Sequence, residues 1–205
     1  MYKRQVYATI FNINGGVALF PLQLLFCKFF VVITVVIGFI VYVPDPGVMQ
    51  RPPRKPGTKI VNRPQIIRWV VTGFVVAATA LAVLEWGPGK PSTTHASVNM
   101  TMAFAVVSFS AVNIGLIMRR ERQAPWASPV FPYLGWIILG WILTWAAVEL
   151  GMLQRLLDTT SLSGREWVVV LALSLIAPAV VGVDKAIQLR RQRQASQTIG
   201  SPATS

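Results

Sequence analysis

Long apolar runs separated by short polar segments make up most of this chain. Five runs are about as long as a membrane crossing, which takes about 20 helical residues; they cover residues 21–43, 66–86, 98–118, 130–150 and 167–187. A sixth run, at 6–20, contains Asn12 and Asn14 and as a helix would reach only about 22 Å. The pattern predicts an all-α fold, a polytopic transmembrane helix bundle with five full spans and a truncated N-terminal helix.

The two ends of the chain differ from this pattern. Lys3 and Arg4 precede the first apolar run, as in a secretory signal, but no small-residue cleavage site follows and the apolar character continues past Pro21. We therefore favour a helix over a cleaved signal. Residues 194–205 are rich in Ser, Thr, Gln and Ala without apolar periodicity. We expect a membrane domain over 1–190 and a disordered tail over 191–205.

Basic residues predict the orientation of the bundle, because Lys and Arg are retained on the cytoplasmic side during insertion. They concentrate in the connections 44–65 and 119–129 and in the tail, whereas the connections 87–97 and 151–166 are poorer in them. This alternation predicts a cytoplasmic C-terminus. The short basic loops fit a bacterial plasma membrane.

Composition excludes several classes of protein. The mean hydropathy is +0.56 and only 13% of residues are charged, about half of the usual fraction in a soluble domain. The net charge of +12 would suggest nucleic acid in a soluble protein, but membrane topology explains it here. One cysteine and one histidine provide neither a disulfide nor a metal site. No catalytic constellation is present, so we expect the lipid bilayer as a partner and no nucleic acid.

A few polar residues fall inside the predicted spans. Lys28 is the only formal charge well within one, where an ammonium costs about 2.5–3.5 kcal/mol on insertion scales and marks a functional site by default. Alternatively it lies about 10 Å from the span end and can snorkel to the interface. Ser108, Ser110 and Asn113 crowd one half of a span and are candidate polar contacts between helices.

Several motifs together resemble one known family. They are Pro21-Leu-Gln-Leu-Leu, Pro44-Asp-Pro46 with Met49 and Arg51-Pro-Pro-Arg54, Thr101-Met-Ala-Phe104, and Gly164-Arg-Glu-Trp-Val168. In this order and spacing they resemble the C-terminal transmembrane region of P-type cation-transporting ATPases, in the calcium-pump-like branch. The resemblance covers residues 19–190 and implies helices that contribute to the ion pathway of an ATP-driven cation pump.

The resemblance also assigns roles to particular positions. Asp45, Arg51, Pro52, Pro53 and Arg54 would form the loop that couples phosphorylation to helix movement. The prolines make that loop a stiff connector.

The cation ligands of the family align with Lys28, Val31, Val32 and Ala111. These side chains offer no oxygen to a hard cation, so a usual calcium site is not expected. Lys28 would then act as a counter-cation inside the bundle.

The phosphorylation, nucleotide-binding and actuator domains of such pumps have no counterpart in this sequence. We therefore expect a fragment that is inert by itself and needs the remaining domains of the pump; ATP and Mg are implied only for a full-length parent, and no cofactor is expected in this chain. The alternative is a stand-alone, pump-derived membrane protein that binds and regulates or stabilises a partner membrane subunit. A third possibility, an unrelated small transporter, lacks a detectable inverted repeat.

Overall fold

The computed structural model describes residues 18–41, 63–89, 95, 97–118 and 131–199, and every regular element within those ranges is a helix. We number the helices in chain order. They are α1 (Pro21–Val41), α2 (Arg63–Trp86), α3 (Val98–Met118), α4 (Phe131–Glu149), α5 (Gly151–Leu157), α6 (Gly164–Ser174) and α7 (Ile176–Ile199). The prediction of an all-α bundle is confirmed.

The helices account for four or five membrane crossings. Helices α1, α2 and α3 are each long and apolar enough to span, and α6 with the first part of α7 forms a fourth crossing, Gly164–Gln188. Helix α4 meets the short α5 at a bend of 80°, and this pair gives the fifth. The truncated N-terminal helix expected before residue 18 lies outside the described residues, as do residues 200–205.

Two helices start slightly earlier than hydropathy predicts, and one ends later. Helix α2 starts at Arg63 because Pro64 is tolerated in the first helical turn. Helix α6 starts at Gly164, where the carboxylate of Glu166 accepts a 2.7 Å hydrogen bond from the Ser163 backbone N–H. Helix α7 continues to Ile199, which differs from the disorder expected from residue 191 onward.

Helix α3 forms the centre of the bundle. It packs against α2, α4, α6 and the middle of α1, and 78% of its apolar stretch is buried, against about one third in the other long helices. Glycines let its neighbours approach closely. A Cβ at Gly115 would stand 2.5 Å from Val35 of α1, and a Cβ at Gly140 of α4 would stand 2.8 Å from Val112. Such small residues favour helix contact in a bilayer.

Polar side chains connect the helices at the end of the bundle where α3 begins. Gln23 of α1 is fully buried and donates to the carbonyls of Leu157 and Asp158. Thr101 accepts a hydrogen bond from the backbone N–H of Thr160, and Glu149 accepts one from the indole N–H of Trp167 at 3.0 Å. These bonds join α1 to the end of α5, α3 to the connection between α5 and α6, and α4 to α6.

Asn99 belongs to the same end and holds the α2–α3 turn. Its amide nitrogen donates to the carbonyls of Leu84 and Gly89, and its oxygen accepts from the Gly89 N–H at 2.7 Å. The side chain is 2% exposed. Asn99-Met-Thr101 fits a glycosylation sequon in sequence, but in the folded chain the Asn99 amide is buried and forms these three hydrogen bonds.

Candidate functional site

Helix α1 changes its hydrogen-bonding pattern in the middle. Residues Cys27–Val32 form a π-helical segment, and Lys28 lies inside it. Single π-helical turns within α-helices are rare and occur frequently at functional sites. Nothing in the residue pattern marks this segment, because its side chains are mostly the same apolar types as those in the α-helical turns on either side.

Lys28 lies on the exposed side of α1. It is exposed, and so are Leu25, Phe29 and Ile33, with exposed fractions of 50%, 59% and 43%. Among the described residues, none forms an ion pair with Lys28. The ammonium therefore projects from an apolar helix surface that the rest of the described bundle leaves uncovered.

The other three positions aligned with cation ligands lie closer to the bundle interior. Val31 is fully buried, and Val32 and Ala111 are half-buried. They belong to α1 and α3, whose surfaces pack directly on each other at the π-helical segment. All three side chains are hydrocarbon, and the described residues contain no cluster of three His, Cys, Asp or Glu that could hold a metal ion.

The three polar residues of α3 are all buried, but their surroundings differ. Ser110 donates a 3.2 Å hydrogen bond to the carbonyl of Ser174 and so links α3 to α6. Ser108 is fully buried, and its hydroxyl has no hydrogen-bond partner among the described residues. Asn113 is 6% exposed. A buried hydroxyl without a hydrogen-bond partner destabilises the folded state. Among the described residues, Ser108 is the buried polar side chain for which this cost is expected.

The predicted coupling loop, with Asp45, Arg51, Pro52, Pro53 and Arg54, lies outside the described residues. Its position at the end of α1 and the start of α2 follows from chain order alone. Its mechanical role therefore stays a prediction.

The fold and its apolar helices define an integral membrane helix bundle. A family model described as "Cation transporting ATPase, C-terminus" matches residues 16–187. The chain therefore belongs to this family and corresponds to the C-terminal membrane domain of P-type cation-transporting ATPases, which confirms the resemblance. A search of curated proteins found no match.

Proposed function

We propose that this chain supplies the C-terminal membrane helices of an ATP-driven cation pump and lines part of its ion pathway around Lys28. The observation that carries the proposal is the place of Lys28, in a π-helical segment on the uncovered face of α1. Family membership supports the pump context. Pumping also requires phosphorylation machinery, on the same polypeptide or on another.

The energetics of Lys28 favour a functional role. An ammonium facing hydrocarbon near the middle of a span costs several kcal/mol unless it snorkels or meets polar groups. The uncovered face of α1 is where further helices of a pump can pack, and such helices can bring carboxylates or carbonyls to the ammonium. The charge then takes the place of a transported cation.

The side chains of Val31, Val32 and Ala111 provide no oxygen ligand, and this limits the kind of cation that the pathway can carry. A divalent cation that needs six or more oxygens would find none on these three side chains. The proposal therefore favours movement of a proton or another monovalent cation beside a fixed positive charge. Alternatively, the Lys28 ammonium occupies the position of the ion permanently, and no cation binds there.

The test is substitution of Lys28 in the assembled pump. Lys28→Asn restores an oxygen, and Lys28→Met removes the charge at similar length. We expect both to change the cation dependence of ATP hydrolysis and transport in membrane vesicles. Arg155→Gln removes an exposed charge from α5 and serves as the control. Unchanged ion dependence in both Lys28 variants would mean that the side chain only snorkels.

The alternative function uses the same uncovered face of α1 differently. A stand-alone chain would pack this face against a partner membrane subunit that it stabilises or regulates. A blot of native membranes with an antibody to residues 194–205 separates the two possibilities. A band several times larger than 22.5 kDa supports the pump, and a stable band at that mass in its place supports the stand-alone protein.

A further inference from the structure

A cavity of about 670 Å³ lies between α2, the end of α3 and α7, at the end of the bundle opposite the Asn99 turn. Its walls carry both charged and apolar side chains. Arg68 and Trp69 come from α2, and Asp184 and Lys185 come from α7. None of these residues takes part in the proposed ion pathway.

The charged and apolar walls lie at different depths. Helices α2 and α7 run antiparallel here, so Val71, one turn after Arg68, and Val181, one turn before Lys185, both lie nearer the middle of the candidate spans. One helical turn is about 5.4 Å. The cavity therefore has a charged layer near the end of the bundle where α2 begins, and an apolar layer nearer the middle of the spans. A phospholipid has its head group and its acyl chains in the same order.

The charged layer carries a net positive charge. Arg68 pairs with Asp184 through Nε at 3.2 Å, which leaves the terminal amino groups of the guanidinium fork with further donors. Lys185 is 9% exposed and donates to the Ile117 carbonyl at 2.8 Å. Two cationic side chains and one carboxylate therefore line this part of the cavity. Arg63 and Arg190 are exposed on the same two helices and add positive charge near this end.

We propose that this cavity binds one anionic glycerophospholipid, with its phosphate at Arg68 and an acyl chain along Val71 and Val181. Charge complementarity selects an anionic head group, because basic pockets between membrane helices attract such lipids. Trp69 is 54% exposed and lies at the level where an indole favours the head-group region. The head group and the upper part of an acyl chain occupy the cavity, and the rest of the lipid extends beyond it.

The test measures lipid retention by the full chain. The protein is purified in mild detergent, supplied with phosphatidylglycerol, phosphatidylethanolamine or phosphatidylcholine, and examined by native mass spectrometry. We expect a retained phosphatidylglycerol adduct that Arg68→Gln weakens about fivefold, the effect of about one basic residue at a membrane surface. Arg68→Lys should retain most of the adduct, and Arg155→Gln at the opposite end should leave it unchanged.

Asp184→Asn is the most informative control because its expected effect on phosphatidylglycerol retention is opposite to that of Arg68→Gln. It removes the negative charge beside Arg68, so phosphatidylglycerol retention should rise while Arg68→Gln lowers it. Loss of retention in both variants would show that the Arg68–Asp184 pair only holds the helices together, and would overturn the proposal. So would equal retention of the zwitterionic lipids, or displacement of the phosphatidylglycerol adduct by added inorganic phosphate.

Discussion

Helices α1 and α3 cross the same bundle, yet the more apolar of the two lies nearer the outside. The mean hydropathy of α1 exceeds that of α3. However, only 33% of the apolar stretch of α1 is buried, whereas 78% of that of α3 is buried. The buried helix is the one that carries Asn99, Thr101, Ser108, Ser110 and Asn113. Hydropathy therefore identifies spans but does not rank them by burial.

The physical reason is the solvent. Lipid tails are as apolar as Leu or Phe, so an apolar side chain gains little by moving from lipid into the protein. Interhelical hydrogen bonds and close packing at small residues decide which helix becomes central. Helix α3 has both, through Ser110 and Gly115, whereas the outer face of α1 carries large side chains such as Phe29.

The largest expected contrast between the two helices comes from truncating an aromatic side chain in each. Phe104 of α3 is fully buried, with its ring centroid 6.2 Å from that of Phe26. Phe104→Ala should lower the free energy of unfolding by about 3–5 kcal/mol because it leaves a cavity. Phe29→Ala, at an exposed position of α1, should change it by less than about 0.5 kcal/mol. Equilibrium unfolding in mixed micelles measures both, and similar losses would contradict the central place of α3.

A smaller effect is expected from filling the space between the two helices. Gly115→Leu places a side chain where Val35 stands 2.5 Å from the first carbon, and overpacking of this kind costs about 1–3 kcal/mol. Gly73→Leu on α2 meets nothing within 4 Å and should be neutral or stabilising. Thermal unfolding in detergent compares the two variants. A loss at Gly73 as large as that at Gly115 would argue against close contact of α1 and α3.

The Asn99 turn tests whether polar bonds position α3. Asn99→Ala removes three hydrogen bonds and should cost about 2 kcal/mol, since bonds within membrane bundles average about 0.6 kcal/mol each. Asn99→Asp keeps an acceptor for Gly89 but places a buried carboxylate oxygen against the carbonyls of Leu84 and Gly89, so a loss at least as large as that of Asn99→Ala is expected. The readout is the unfolding midpoint in detergent. An unchanged midpoint in Asn99→Ala would mean that the turn does not hold α3.

The smallest effects come from two serines of α3 and differ in sign. Ser110→Ala loses the bond to Ser174 and should cost about 0.6 kcal/mol. Ser108→Ala removes a buried hydroxyl without a described partner, so it should be neutral or stabilising. Parallel unfolding curves of the two variants measure the difference. Destabilisation by Ser108→Ala would indicate that this hydroxyl has a partner such as an ordered water.

The spans and the family could be predicted from sequence because both depend on local information. Span length follows from bilayer thickness, so runs such as 98–118 and 21–43 were placed within a few residues of α3 and α1. The motifs around Pro21 and Thr101 identified the family, which the match over 16–187 confirms. The helical backbone up to Ile199 was missed, because a polar segment without periodicity has no apolar face to reveal a helix.

The candidate site was only partly predictable. Lys28 was recognisable as the only formal charge well within a predicted span, and the family alignment added weight to it. The sequence left open whether it lies inside or outside the bundle, and nothing marked the π-helical segment around it. The cavity beside Arg68 was also missed. Its residues come from α2 and α7, more than a hundred positions apart, and hydropathy does not report such pairings.

The sequence alone determined that this chain is a membrane helix bundle, where its spans lie, and the family to which it belongs. These features follow from runs of apolar residues matched to bilayer thickness and from motifs of a few adjacent residues. Only the tertiary structure decided that α3 is central, that Lys28 projects from the uncovered face of α1, and that Arg68 meets Asp184. These features depend on side-chain packing and hydrogen bonds between distant segments. Hydropathy does not reveal them, because lipid tails and the protein interior are similarly apolar.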